Sequence, residues 1–178
     1  MAGFLNAITG SVGIKKVYAI GDTGPAGGKI YILPASLGGG GGSYYYEAWT
    51  TDIVNGETGN IRWSSDTTTL LGASGTAIGT GPTNTALIPG GASAECTGTT
   101  RGGESDWFFP SKNELNEMYV NRTAIGEFKT SGNYTTYWSS TEGSATQAHG
   151  QVFSDGSQYG NMSKTQIRNV RPSRRFLA

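Results

Sequence analysis

Cysteine and histidine are nearly missing from this sequence, whose 178 residues include one of each, Cys96 and His149. A single cysteine cannot form an intrachain disulfide, which excludes the disulfide-rich secreted scaffolds. One histidine and one cysteine also cannot supply the four ligands of a structural zinc site. The residues flanking Cys96, Ala-Glu before it and Thr-Gly after it, offer no base that would activate its thiol. We therefore expect no metal site, no cofactor, no catalytic residue and no enzymatic activity.

Charged residues are also scarce. They make up 15% of the sequence, where about 25% is usual, and 13 basic residues balance 13 acidic ones. The missing basic excess argues against a protein that binds nucleic acid through its overall charge. No apolar run reaches the roughly 18 residues that cross a membrane. No basic segment precedes the apolar residues at the start of the chain, so we expect neither a membrane span nor a signal peptide.

Glycine and aromatic residues are abundant instead. The sequence contains 29 Gly, 4 Trp, 9 Tyr and 6 Phe. That many aromatic residues exclude a disordered tract, whereas the glycines favour turns. The length fits one domain of roughly 100–200 residues. We expect an N-terminal arm over residues 1–16 that serves for attachment, followed by a single domain over residues 17–178.

Short runs of β-branched and aromatic residues between turn signals predict strands. The predicted strands cover residues 17–20, 29–33, 44–50, 61–64, 134–141, 148–154 and 167–172. One helix is predicted over residues 83–88. A second is predicted from Ser111, because Ser111 and Glu114 match the capping box that satisfies free backbone donors of a first helical turn. The pattern predicts an α+β fold of short antiparallel strands, two short helices and long loops.

Three motifs in the second half of the chain carry a resemblance to a known family. Residues 106–115 read DWFFPSKNEL, residues 137–142 read YWSSTE, and residues 170–172 read VRP. In this order they resemble the DWxLPSxxEL, YWSSTE and VRP motifs of the C-type-lectin-like domain family of bacteria and phages. The resemblance covers about residues 17–176 and implies a C-type-lectin-like fold, shared with phage tropism determinants and formylglycine-generating enzymes. The cysteine chemistry of those enzymes and the Glu-Pro-Asn and Trp-Asn-Asp motifs of calcium-dependent lectins have no counterpart here, so neither activity is carried over.

Several motif residues have a structural interpretation. Trp107 and Trp138 are expected in the core, because burying a large ring stabilises the fold. Ser139 and Ser140 have no neighbouring base, so we do not expect nucleophiles. Near the end of the chain, four arginines stand close together in the sequence: Arg168, Arg171, Arg174 and Arg175. They indicate either solvated and ion-paired strand ends or attachment to an acidic partner.

The stretch between residues 142 and 168 is short of aliphatic residues and rich in amides and hydroxyls, which suits adaptable hydrogen bonding, as in antibody paratopes. The candidate ligand-binding residues in it are Glu142, Gln147, His149, Gln151, Asp155, Gln158, Tyr159 and Asn161. The alternative is a polar hairpin surface without a ligand.

These observations favour a non-enzymatic virion protein of a bacteriophage, a tail-fibre tip or receptor-binding protein that recognises a bacterial surface glycan or protein. Its expected location is the virion surface. Expected partners are other virion proteins, held through residues 1–16, and the bacterial receptor; the phage relatives imply a homotrimer. Alternatives are a capsid or tail decoration protein, and a lectin-like adhesin on the bacterial cell surface. A glycoside hydrolase that uses two of Glu104, Asp106, Glu142 and Asp155 is a further alternative, for which the spacing determines no carboxylate distance.

Overall fold

The computed structural model describes residues 15–53, 61–132 and 134–178. Within these ranges the chain forms eight strands, four α-helices and one 3-10 turn. The strands are β1 Lys29–Ile32, β2 Tyr44–Ala48, β3 Ile61–Arg62, β4 Thr136–Glu142, β5 Gln147–Val152, β6 Gln158–Ser163, β7 Ile167–Arg168 and β8 Ser173–Leu177. The helices are α1 Gly81–Leu87, α2 Gly91–Thr97, α3 Lys112–Val120 and α4 Arg122–Ile125, and the 3-10 turn is Ala35–Leu37. The expected arm lies outside the described residues except for its last two.

Three small antiparallel sheets organise the domain, with strand orders β1-β2-β8, β3-β7 and β4-β5-β6. The first sheet joins the two ends of the described chain, because β8 pairs with β2 in a register that sets Tyr46 opposite Arg175. The second sheet also pairs strands that lie far apart in the sequence, with Ile61 of β3 opposite Arg168 of β7. Short strands, antiparallel pairing and separate helices confirm the α+β class.

Two hydrophobic clusters form the core, and β4 contributes to both. Successive side chains of a strand point to opposite faces, so Trp138 packs in one cluster with Trp63 and Phe109. Tyr137 packs in the other cluster. Trp107 and Trp138 are 1% and 0% exposed, as expected. The indole N–H of Trp138 donates to the carbonyl of Ile61 at 3.0 Å, so this large ring is buried without leaving its polar atom unpaired.

The predicted capping box is present at the start of α3. The Ser111 hydroxyl accepts from the Glu114 backbone N–H, and the Glu114 carboxylate accepts from the Ser111 backbone N–H at 2.7 Å. A third donor, the Gly79 N–H at 2.8 Å, ties the preceding loop to the same carboxylate. Burial raises the pKa of Glu114, although the bonds from Ser111 and Gly79 oppose that rise.

The prediction of two helices was wrong, since the described residues contain four. The predicted stop at residues 89–91 is the boundary between α1 and α2, where Gly90 and Gly91 have φ of 58° and 53°. The sequence Gly-Ala-Ser-Ala of α2 has too little apolar periodicity to predict a helix. Tertiary packing supports it, because Ala92 and Cys96 are buried in the Trp138 cluster.

Several predicted strands also differ. Residues 17–20 form no strand; Tyr18 instead packs edge-on against Tyr45 and Phe176 at 5.3 and 5.5 Å between ring centroids. The strand predicted over residues 167–172 forms only at its start, as β7, and β8 begins after the predicted range, at Ser173. β6 was not predicted, since its Gln-Tyr-Gly-Asn-Met-Ser sequence lacks the alternation of a half-buried strand.

Candidate functional site

All eight candidate residues belong to the β4-β5-β6 sheet or its turns, but they do not form one cluster. Glu142 ends β4, Asp155 stands in the turn after β5, and the other six lie on β5 and β6. β5 is the central strand, and β6 is the outer strand of this sheet. The candidate residues therefore share one sheet, but each side chain has different neighbours.

Glu142 is buried inside the protein and already has partners. Its carboxylate lies 2.5 Å from the Lys164 ammonium, with side-chain exposures of 1% and 0%. It also accepts from the backbone N–H groups of Leu71 and Gly72 at 2.8 to 3.0 Å. Burial acts to raise the pKa of Glu142, but the bonds from Leu71, Lys164 and Gly72 outweigh it and lower the pKa. This carboxylate anchors a loop and is not available to a ligand.

Gln151 and Gln158 face each other across β5 and β6, and both reach the same residue of α3. Their side-chain N–H groups donate to the Asn116 amide oxygen at 3.0 and 2.8 Å. Gln151 is buried, and its own amide oxygen has no hydrogen-bond partner among the described residues. Asn116 was not among the predicted site residues, because only the fold brings α3 to this sheet. The side-chain amides of Gln151, Gln158 and Asn116 thus form a polar cluster between α3 and the end of the β5-β6 hairpin.

His149 lies partly buried on β5, over Gly160 of β6. A Cβ atom at Gly160 would stand 2.6 Å from the imidazole Cε1, so the glycine makes room for the ring. Burial and the nearby Lys112 ammonium both lower the pKa of His149. A lowered pKa favours the neutral ring at neutral pH, which has one nitrogen that can donate a hydrogen bond and one that can accept.

The exposed members are Gln158, Tyr159 and Asn161 on β6, with Gln147 partly exposed at the start of β5. Tyr159 is 48% exposed, which is high for a ring on a strand. Asp155 is also exposed, but its carboxylate accepts from the Ser157 N–H at 2.8 Å within the turn, and this bond lowers its pKa. β6 thus presents amide and phenol groups to solvent on a supported strand.

The carboxylates considered for glycoside hydrolysis have other roles in the structure. Glu142 is paired with Lys164, and Glu104 and Asp106 are both paired with Arg174. Among the described residues, no group of three His, Cys, Asp or Glu side chains could hold a metal ion. No helix in this part of the chain has the length and apolar character needed to cross a membrane.

Two of the four C-terminal arginines form buried ion pairs. Arg171 is fully buried, lies 2.8 Å from the Asp52 carboxylate, and donates to four backbone carbonyls. Arg174 contacts Glu47 at 3.0 Å and Glu104 at 3.2 Å, besides Asp106. The ion-pairing interpretation is correct for Arg171 and Arg174.

A groove that sequence analysis did not predict lies between helices α1 and α2 and the edge of the first sheet. Its volume is about 630 Å³. Pro82, Ala86 and Ala94 of the two helices line one side, and Tyr44 and Arg175 of β2 and β8 line the other. The groove therefore offers a ligand both shape and hydrogen-bonding groups, on other elements than the exposed β6 surface.

Comparison of the sequence with protein-family models gives no match, and comparison with curated proteins gives no significant similarity either.

Proposed function

We propose that this protein is a non-enzymatic binding module of a bacteriophage particle, located at a tail-fibre tip or in a receptor-binding protein on the virion surface. It recognises a glycan or protein on the bacterial surface. The motifs at residues 106–115, 137–142 and 170–172 support a C-type-lectin-like fold for this role. The alternatives are a decoration protein and a bacterial surface adhesin.

The observation that carries this proposal is the polar, exposed surface of β6 on a rigid support. Tyr159 and Asn161 project from an outer strand whose neighbour, β5, is held by β4 on its other side. Tyrosine gives a large contact area with two rotatable side-chain torsions, and amides give directional hydrogen bonds. The Gln151 and Gln158 bonds to Asn116 hold the end of the hairpin against α3, so little order has to be gained on binding.

The test is binding of the full-length protein to a panel of intact bacteria, measured by flow cytometry with a fluorescent label. We expect saturable binding to a subset of strains. The double variant Y159A/N161A should weaken it by at least about tenfold, because truncating a central tyrosine in an interface costs on the order of 1–2 kcal/mol or more.

The matched control is Y134A, because Tyr134 is 52% exposed and precedes β4, on the far side of the sheet from β6. This variant should bind as the unmodified protein does. Absence of binding to every strain, or equal binding by Y159A/N161A, overturns the proposal. Phage particles that lack the protein and still adsorb normally would contradict it as well.

A decoration role is the second candidate, because apolar side chains are exposed near both ends of the described chain. Val17 and Leu177 are 67% and 68% exposed, and the Lys15 side chain contacts the backbone of Ala178. Exposed apolar residues grouped together favour assembly with another protein surface. Quantitative mass spectrometry of purified particles separates the roles: decoration requires copies over the whole shell, and a fibre tip requires only a few per tail.

A further inference from the structure

The groove between α1 and α2 has an apolar base and walls of short side chains. Trp107 and Phe108 form part of its lining and are 1% and 4% exposed, so their rings are fixed by the core. Ala86 and Ala94 present methyl groups from the two helices. A volume of about 630 Å³ falls within the roughly 300–1,000 Å³ of small-molecule sites. Such a groove suits a ligand with an apolar body.

Arg175 supplies the cationic group of this groove. Its guanidinium lies over the Tyr44 ring at 4.8 Å and donates to the Gly79 carbonyl at 3.4 Å, which is a long hydrogen bond. The Tyr46 hydroxyl and the Arg175 guanidinium both lie beside Gly79, 3.6 and 3.7 Å from the position that a Cβ atom there would occupy. Among the described residues, Arg175 has no carboxylate partner, in contrast to its neighbour Arg174.

The strand geometry explains this contrast. Successive residues of β8 point to opposite faces, so Arg174 meets the buried Glu47, whereas Arg175 lies on the face of Tyr44 and Tyr46. Asp106 also borders the groove, but its carboxylate is paired with Arg174. The guanidinium of Arg175 therefore keeps free donors in a planar fork, and this fork matches the two oxygens of a carboxylate.

We propose that the groove binds a small organic carboxylate with an apolar body. The carboxylate pairs with the guanidinium of Arg175, and the apolar body lies against Pro82, Ala86 and Ala94. This site lies on other elements than the β6 surface, so it goes beyond the proposed receptor recognition and stands or falls independently of it.

The test uses the full-length, isotopically labelled protein and three probes with the same carbon skeleton: phenylbutyrate, phenylbutyramide and phenylbutylamine. Binding is followed by backbone amide chemical shifts. We expect phenylbutyrate to bind with a dissociation constant on the order of 1 mM, as suits a ligand of this size. Shifts should concentrate on α1, α2 and the residues around Arg175. The neutral amide and the amine should each bind at least about tenfold more weakly, because neither can form the bidentate ion pair with the guanidinium.

Three variants complete the experiment. R175Q should weaken phenylbutyrate binding at least about tenfold, and R168Q, which removes one arginine from β7 outside the groove, should leave it unchanged. A94F fills the groove from the exposed side of α2 and should abolish binding. Thermal melting reports whether each variant is folded, and the probe series on the unmodified protein does not depend on that result.

The proposal is overturned if phenylbutyrate binds no more tightly than the amide, if its shifts map elsewhere, or if folded R175Q binds it equally well. Tighter binding of the amine would also overturn it, because Asp106 and not Arg175 would then govern the groove.

Discussion

Removing one partner of the buried ion pair of Lys164 and Glu142 should strongly destabilise this protein. The change K164M removes the ammonium and leaves the Glu142 carboxylate buried, with only the N–H groups of Leu71 and Gly72 as partners. Removing one partner of a buried pair costs about 3–5 kcal/mol, because the other charge stays desolvated. Two carbonyls that accept from Lys164, at 2.8 and 3.0 Å, lose their donor as well.

The measurement is urea unfolding at pH 7 followed by tryptophan fluorescence, with the free energy of unfolding obtained by linear extrapolation. K164M should lower it by about 3–5 kcal/mol. The control K129M removes an exposed lysine and should change it by no more than about 0.5 kcal/mol. In the double variant E142Q/K164M no unpaired charge is left buried at this site, so stability should recover by about 1–3 kcal/mol relative to K164M.

The pH dependence gives a second measurement of the same pair. The pKa of Glu142 is lower in the folded protein than its ordinary value of 4.5. A carboxylate of this kind stabilises the fold above the unfolded pKa, and the contribution is lost as pH falls through the folded pKa. The unmodified protein should therefore lose stability below about pH 4.5, and E142Q should lose less. A cost below about 1 kcal/mol for K164M, or no recovery in the double variant, would refute the reasoning.

Three further predictions concern single residues. S111A should lower the free energy of unfolding by about 0.5–2 kcal/mol in urea titrations, because α3 loses its cap; an unchanged midpoint would contradict this. G102A should destabilise the protein by more than about 1 kcal/mol, since Gly102 has φ of 60° and an added Cβ would clash with the Ala26 carbonyl; a stabilised variant would disprove the strain. The imidazole of His149 should titrate below its ordinary pKa of 6.5 in NMR spectra, because of burial and Lys112; a midpoint above 6.5 would refute that environment.

Local sequence signals predicted those parts of the fold that depend on neighbouring residues. The capping box at Ser111 and Glu114 needs only a spacing of three, so it could be found without the structure. The burial of Trp138 follows from the size of its ring. The α2 helix could not be found this way, because its Gly-Ala-Ser-Ala sequence becomes helical through packing of Ala92 and Cys96 in the core.

The candidate site was likewise predicted only in part, because some of its features depend on residues that are distant in the sequence. Amide and hydroxyl composition led to the β5 and β6 residues, and Tyr159 is indeed exposed there. Composition could not distinguish Glu142 from these residues, which are its neighbours in the sequence. Its burial depends on Lys164 and on a loop some 70 residues earlier. Asn116 was missed for the same reason, since nothing local relates α3 to β5.

By itself, the sequence determined the α+β class and the positions of the main turns, and its composition excluded several classes of protein. These conclusions depend only on residue type and short spacings. Only the tertiary structure decided how the charges are used. Arg174 and Arg175 are adjacent and chemically identical, yet the alternation of β8 directs one into a cluster of carboxylates and the other into an apolar groove. Long-range packing alone sets what lies opposite each side chain: it pairs Arg174 with carboxylates and leaves Arg175 at the groove, where we propose that it binds a ligand.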